Sequence, residues 1–196
     1  MAQTAKATGR TTAPPAGIIT SGSGTGDNRA KLFIFGIAFL RILFGLVFLT
    51  NGLAKVGLDF PVLPGFLIDF DGAKNILANN VRDHPVGIYT DFIENVVIEH
   101  FTPFGVALTL TELFIGITLL TGAFASVGAL VGALSTLHIN FSTLDGYHSG
   151  PWAWEEATLW GPLIMLALIG AGRYWGLDLW AGRKLPGPLR RWPLTG

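Results

Sequence analysis

LFIFGIAFLRILFGLVFLTNGLAKVG, residues 32–57, decides the fold. It is apolar almost without interruption and long enough to cross a hydrocarbon core of about 30 Å as a helix. One charge, Arg41, sits inside it. Three more stretches have comparable length and character: Thr102–Gly122, Ala123–Phe141 and Trp154–Tyr174. The second of the four carries Glu112. Ionisable residues at bilayer depth cost at least about 2.5–3.5 kcal/mol each on insertion scales, and they pair or line functional cavities. If the first span begins near Lys31 and the second ends at Gly122, both Arg41 and Glu112 lie about 15 Å from the same membrane face. Opposite charges are then expected at one level on antiparallel neighbours.

Composition agrees with a membrane protein. Of 196 residues, 50% are hydrophobic and 13% charged, against about 25% charged in a soluble domain. Mean hydropathy is +0.51. Zero net charge gives no reason to expect a nucleic-acid partner. The absence of cysteine excludes disulfides, thiolate ligation of metal clusters and cysteine nucleophiles.

The expected fold is all-α, a four-helix transmembrane bundle. Residues 1–30, rich in Gly, Ser, Thr, Ala and Pro, read as a disordered tail. They contain no apolar core with a cleavage site, so the first span should act as an uncleaved signal anchor. The membrane domain should cover 31–183 and a basic tail 184–196. Spans two and three meet at Thr121–Gly122–Ala123, which reads as a tight hairpin turn. One broken helix of about 40 residues is the alternative, and it is too long for a single bilayer.

Four spans place both termini on one side. Lys6, Arg10, Arg29, Lys31, Arg173, Arg183, Lys184, Arg190 and Arg191 mark that side as cytoplasmic, in a cell membrane, by the positive-inside rule. The long connection 58–101 is then extracytoplasmic. In it Ala73–Val81 reads as a short helix. Val86–His100 is amphipathic: Ile88, Phe92, Ile93, Val96, Val97 and Phe101 recur at helical spacing opposite Asp91, Glu94, Asn95 and Glu99. It reads either as a helix on the outer membrane surface or as an ordinary packing helix. Gly128-x-x-x-Gly132 in span three reads as a close-packing face. Trp152, Trp154, Trp160, Trp175 and Trp180 fit aromatic belts, with quinone stacking by Trp152 or Trp154 as the alternative.

Two candidate sites follow. The first is the Arg41–Glu112 pair, read either as a buried polar site or as an ion pair locking two helices. The second lies at the opposite, outer ends of the helices. It comprises Asn51 and Lys55, four apart on one helix face, with His138 and Asn140 and then Glu155 and Glu156. A neutral histidine or a carboxylate there can exchange a proton with a quinone oxygen. The catalytic candidates are therefore Arg41, Glu112 and His138. Candidates for holding a quinone are Asn51, Lys55, Trp154 and Glu155. No metal-ligand spacing appears, and only His138 lies at bilayer depth, so neither metal nor haem is expected.

These residues carry a resemblance. Arg41-x-x-x-Gly45 followed by Gly52-x-x-Lys55 resembles the first-span pattern of DoxX/DoxD membrane proteins. Glu112-x-x-x-Gly116 with Gly122 resembles their second span. Arg173-Tyr174-Trp175-Gly176-Leu177-Asp178 resembles the motif after their last span. The similarity covers roughly residues 31–183. The outer segment with Asp91-Phe92-Ile93-Glu94 looks more like the DoxD branch, related to a subunit of thiosulfate:quinone oxidoreductase. There thiosulfate is oxidised to tetrathionate and a membrane quinone is reduced. The resemblance implies a quinone-linked membrane subunit with the quinone as co-substrate, working with a second redox subunit or as a homo-oligomer. A non-catalytic anchoring subunit is the alternative. A small transporter is a third reading, and the lack of an internal repeat speaks against it.

Overall fold

The computed structural model describes residues 25–58, 67–82, 84–142 and 152–184, with all side chains in these ranges except those at 25, 152–157 and 181–183. All regular structure among them is helical. Helix α1 spans Thr25–Lys55, α2 Phe70–Val81, α3 Gly87–Phe92, α4 Phe101–Thr121, α5 Ala125–Ser142, α6 Trp152–Leu168 and α7 Leu177–Lys184. A π-helical turn, Ile93–Ile98, continues α3, and a 3₁₀ turn, Ala171–Arg173, leads towards α7. Among the described residues three helices, α1, α4 and α5, are long and apolar enough to cross a membrane. The stretch expected as a fourth span is shorter: α6 ends at Leu168, and Thr158–Leu168 is its described apolar part. The reason is Gly170, whose left-handed conformation (φ +66°) ends the helix at Leu168, six residues before Tyr174.

Helix α1 begins six residues inside the stretch read as a disordered tail. Asp27 in its first turn favours the positive end of the helix dipole and pairs with Lys31 one turn on. That local support outweighs the polar composition of 25–30. The remainder of the expected tail, 1–24, and most of the basic tail, 185–196, lie outside the described residues.

The two longest spans touch backbone to backbone. A Cβ on Gly45 would lie 2.8 Å from Leu120 N, one on Gly116 2.6 Å from Leu49 N, and one on Gly52 3.1 Å from Leu113 N. These three points fix the antiparallel register of α1 on α4. Between helices in lipid there is no hydrophobic driving force, so such close van der Waals approach decides alignment. Gly128 and Gly132 on α5 make room for side chains instead, those of Thr118, Ile115 and Leu163. The core of the bundle then fills with Phe44, Phe48, Ile115, Leu119, Leu163 and Leu166.

The α4–α5 connection is the expected hairpin. Gly122 caps α4 at φ +69°, its N–H donating to Thr118 O at 2.9 Å. At the other end of the bundle, Asp69 caps α2 by accepting from Gly72 N at 2.7 Å. The amphipathic stretch after it is not one helix with one apolar face. Its π turn lets Ile93 and Val97 pack on Val81, while Ile88, Phe92 and Val96 stay exposed. An extra residue per turn moves the second half of the stripe off the first.

Candidate functional site

Arg41 and Glu112 do not meet. Glu112 pairs with Lys55: Nζ donates to Oε1 at 3.0 Å and lies 2.8 Å from Oε2. Both residues are buried. Arg41 is 1% exposed at the far end of the same helix pair, its guanidinium against Gly122. Gly122 is ten residues from Glu112, about 15 Å along α4. Aligning helix ends places Arg41 opposite Glu112. The glycine contacts instead slide α1 along α4 by about 12 residues, or roughly 18 Å. The buried carboxylate therefore meets the ammonium at the last turn of α1.

Glu112 lies on the face of α4 that carries Gly105, Thr109 and Gly116, all buried. Two turns from Glu112, the Phe70 ring of α2 packs into the space left by Gly105 and stands edge-on to Phe101 at 5.2 Å. Asn51, one turn before Lys55, donates to Val47 O at 3.0 Å and accepts from Ile68 N at 3.3 Å. It ties the chain entering α2 back onto α1. Of the residues expected at this end, Lys55 forms the buried pair and Asn51 clamps the segment beside it. Glu112 Oε2 accepts no hydrogen bond although it is buried and lies close to Nζ, whose single bond goes to Oε1. The one ammonium therefore stands against both carboxylate oxygens, in a pair shut away from solvent.

His138 is on α5 and its ring is exposed, standing edge-on to Tyr89 at 6.0 Å. It belongs to a separate aromatic cluster with His84 and Phe141. The His84 ring is 4.6 Å from Tyr89 and 5.1 Å from Phe141. His84 Nδ1 accepts from Val86 N at 3.2 Å, so its Nε2 carries the proton and donates to Phe141 O at 3.0 Å. Burial pushes the Tyr89 hydroxyl above its usual pKa, partly offset by Ser142. The sequence signals the depth of His138 but not its rotation. Trp154 and Glu155 fall in the first turn of α6, and their side chains lie outside the described residues.

Around Arg41 the structure assembles residues that the sequence reading left as motif only. NH2 donates to Trp175 O at 3.3 Å. A Cβ on Gly122 or Gly176 would collide with the guanidinium. Asp178 accepts from Phe124 N at 2.8 Å and Ala125 N at 3.1 Å, filling two orphan donors at the start of α5. Its own N–H donates to Gly122 O at 2.9 Å. Burial pushes the Asp178 carboxyl above the usual aspartate range; the two backbone N–H groups and the charges of Arg41 and Arg173 pull it back. The missed role is that of Asp178, and its signal was its place at the end of the Arg173–Asp178 motif.

No protein-family model, curated protein or solved structure matches this chain.

Proposed function

We propose that the chain is a four-span membrane subunit of a quinone-linked oxidoreductase, with the Lys55–Glu112 pair as its proton-exchanging site at the extracytoplasmic end. The observation that carries the reading is the buried carboxyl of Glu112, held by the single ammonium of Lys55. Reducing a quinone oxygen requires protons in a region that excludes water. A carboxyl–ammonium pair can release one and take it back. Apolar rings of Phe70 and Phe101 stand two turns away along the same face, a setting suited to an aromatic headgroup. In this reading α6 completes the fourth span, and α2 and α3 cover the extracytoplasmic mouth.

Further support comes from where the DoxX/DoxD-like residues fall. Gly45, Gly52, Lys55, Glu112 and Gly116 form one continuous α1–α4 contact. Arg41, Gly122, Gly176 and Asp178 form the cluster at its other end. Thiosulfate is the first donor to try, on the strength of that resemblance.

The test is reduction of a quinone analogue by the purified protein with thiosulfate as donor. Glu112→Gln should lower the rate at least 10²-fold, the lower range for a positioned proton donor. Lys55→Met/Glu112→Leu, which removes both charges together, should be folded and inactive. Full activity in that double variant removes the proposal. No activity in the wild type itself, from folded protein, favours a non-catalytic anchoring subunit instead.

A further inference from the structure

Where α1 begins, it runs past the bundle. The α4–α5 turn meets α1 near Arg41, so the preceding helix from Thr25 has no α4 beside it. Its apolar side chains are exposed there: Leu32 by 69%, Phe33 by 61% and Phe35 by 52%. A groove of about 750 Å³ opens at this place, lined by Asn28, Lys31, Leu32, Phe35 and Trp175. Its lining is ordered by polarity. Asn28 and Lys31 stand at the rim, and Leu32, Phe35 and Trp175 form the apolar part. The apolar part continues onto exposed Phe39, which stacks on Phe35 at 6.1 Å.

Trp175 is the unusual wall. Its φ is +56°, a left-handed conformation that bulky residues avoid. A glycine stands next to it in the sequence, at 176, so a need for a tight turn alone does not explain a tryptophan at this φ. The conformation does two things at once. It turns the Trp175 carbonyl inward to Arg41 and sets the ring outward, 67% exposed and edge-on to Phe35 at 6.1 Å. Strain at an exposed aromatic ring points to a task for the ring.

We infer that this groove binds one anionic phospholipid, its phosphodiester at Lys31 and an acyl chain along Leu32, Phe35 and Trp175. An occupant must be amphiphilic, because the lining is. It must carry negative charge, because the one charged side chain of the lining is Lys31. It must be present at the end of an apolar span, where a cationic rim and an interfacial tryptophan coincide. Asp27 competes for Lys31 through an exposed ion pair. Such pairs are weak, so a phosphodiester can displace it. This inference stands on the start of α1 and is independent of the proposed chemistry at Lys55 and Glu112.

The test uses full-length protein, stripped of lipid in mild detergent and titrated with phosphatidylglycerol or phosphatidylcholine. Retention is read by native mass spectrometry. Wild type should hold one phosphatidylglycerol about fivefold more tightly than phosphatidylcholine, the effect of one basic side chain at a membrane surface. Lys31→Ala should abolish that preference, and Asp27→Asn should increase it. Trp175→Gly should weaken both lipids without lowering the unfolding midpoint, since glycine accepts the left-handed φ. Should Trp175→Gly fail to fold, Phe35→Ala reads the same apolar wall. Equal retention of the two lipids by wild type overturns the inference. So does an unchanged preference in Lys31→Ala, or unchanged retention in the folded groove variant. Displacement of the lipid by inorganic phosphate at equal concentration would show a free-anion site and overturn it as well.

Discussion

A double-mutant cycle on Lys55 and Glu112 puts the observed register to its hardest test. With Nζ 2.8 Å from Oε2 and an effective dielectric of 20, the attraction is about 6 kcal/mol. Desolvation of the two ions offsets much of that, at several kcal/mol each. The net contribution of the pair is therefore small, while the cost of breaking it is large. Glu112→Leu alone, or Lys55→Met alone, leaves one buried charge without a partner and should cost about 3–5 kcal/mol. For a chain of this size that lowers the apparent unfolding midpoint by roughly 6–20 °C. Lys55→Met/Glu112→Leu should recover most of the loss, because an apolar pair of similar volume is close to neutral. The assay is thermal unfolding in detergent, followed by tryptophan fluorescence. A parallel cycle on Arg41 and Glu112 supplies the control. Those two sit about 15 Å apart along α4, and their effects should add to within about 0.5 kcal/mol. Coupling between Arg41 and Glu112 larger than that between Lys55 and Glu112 would refute the register.

Gly116→Val tests the same contact from the backbone. A Cβ there meets Leu49 N at 2.6 Å, so overpacking should cost about 1–3 kcal/mol and lower the midpoint by roughly 2–12 °C. Valine at Gly36, where a Cβ meets nothing within 4 Å, should leave it within about 0.5 kcal/mol. Asp178 predicts a pH slope. Its carboxyl is raised on folding, so the native state holds a proton that the unfolded chain releases. Its contribution to stability is greatest below the ordinary aspartate value of about 3.9 and falls as pH rises through the raised folded value. The midpoint of Asp178→Asn should lack this decline, so the variant gains on wild type across that window; parallel pH profiles would contradict it.

The long apolar runs were plain in the sequence, and so was the turn at Gly122, because hydropathy and a glycine between two such runs are local signals. Axial offset is not local. Gly45, Gly52 and Gly116 were visible as small residues, but nothing in either helix says which glycine meets which opposing backbone atom. That one unknown moved Glu112 from Arg41 to Lys55. Rotation was equally hidden: the position of His138 gave its depth, whereas its neighbour Tyr89 comes from a helix nearly fifty residues earlier. The split of the 86–100 stripe depends on a π turn, which apolar spacing alone does not encode. Asp178 was read as part of a motif, and its partners Phe124 and Ala125 are backbone donors, to which the sequence gives no clue.

The carboxylate that finishes the start of α5 is made late. Asp178 follows Phe124 and Ala125 by 54 and 53 residues, so α4 and α5 are synthesised long before their turn acquires its acceptor and Arg41 acquires the Trp175 carbonyl. Until then the hairpin holds bare donors, and the Arg41 guanidinium has the Gly122 turn beside it but no carbonyl to bond. The segment after α6 thus acts as the final fastening of the whole bundle. A chain ending before it would hold α1, α4 and α5 without the contacts that tie their shared end together.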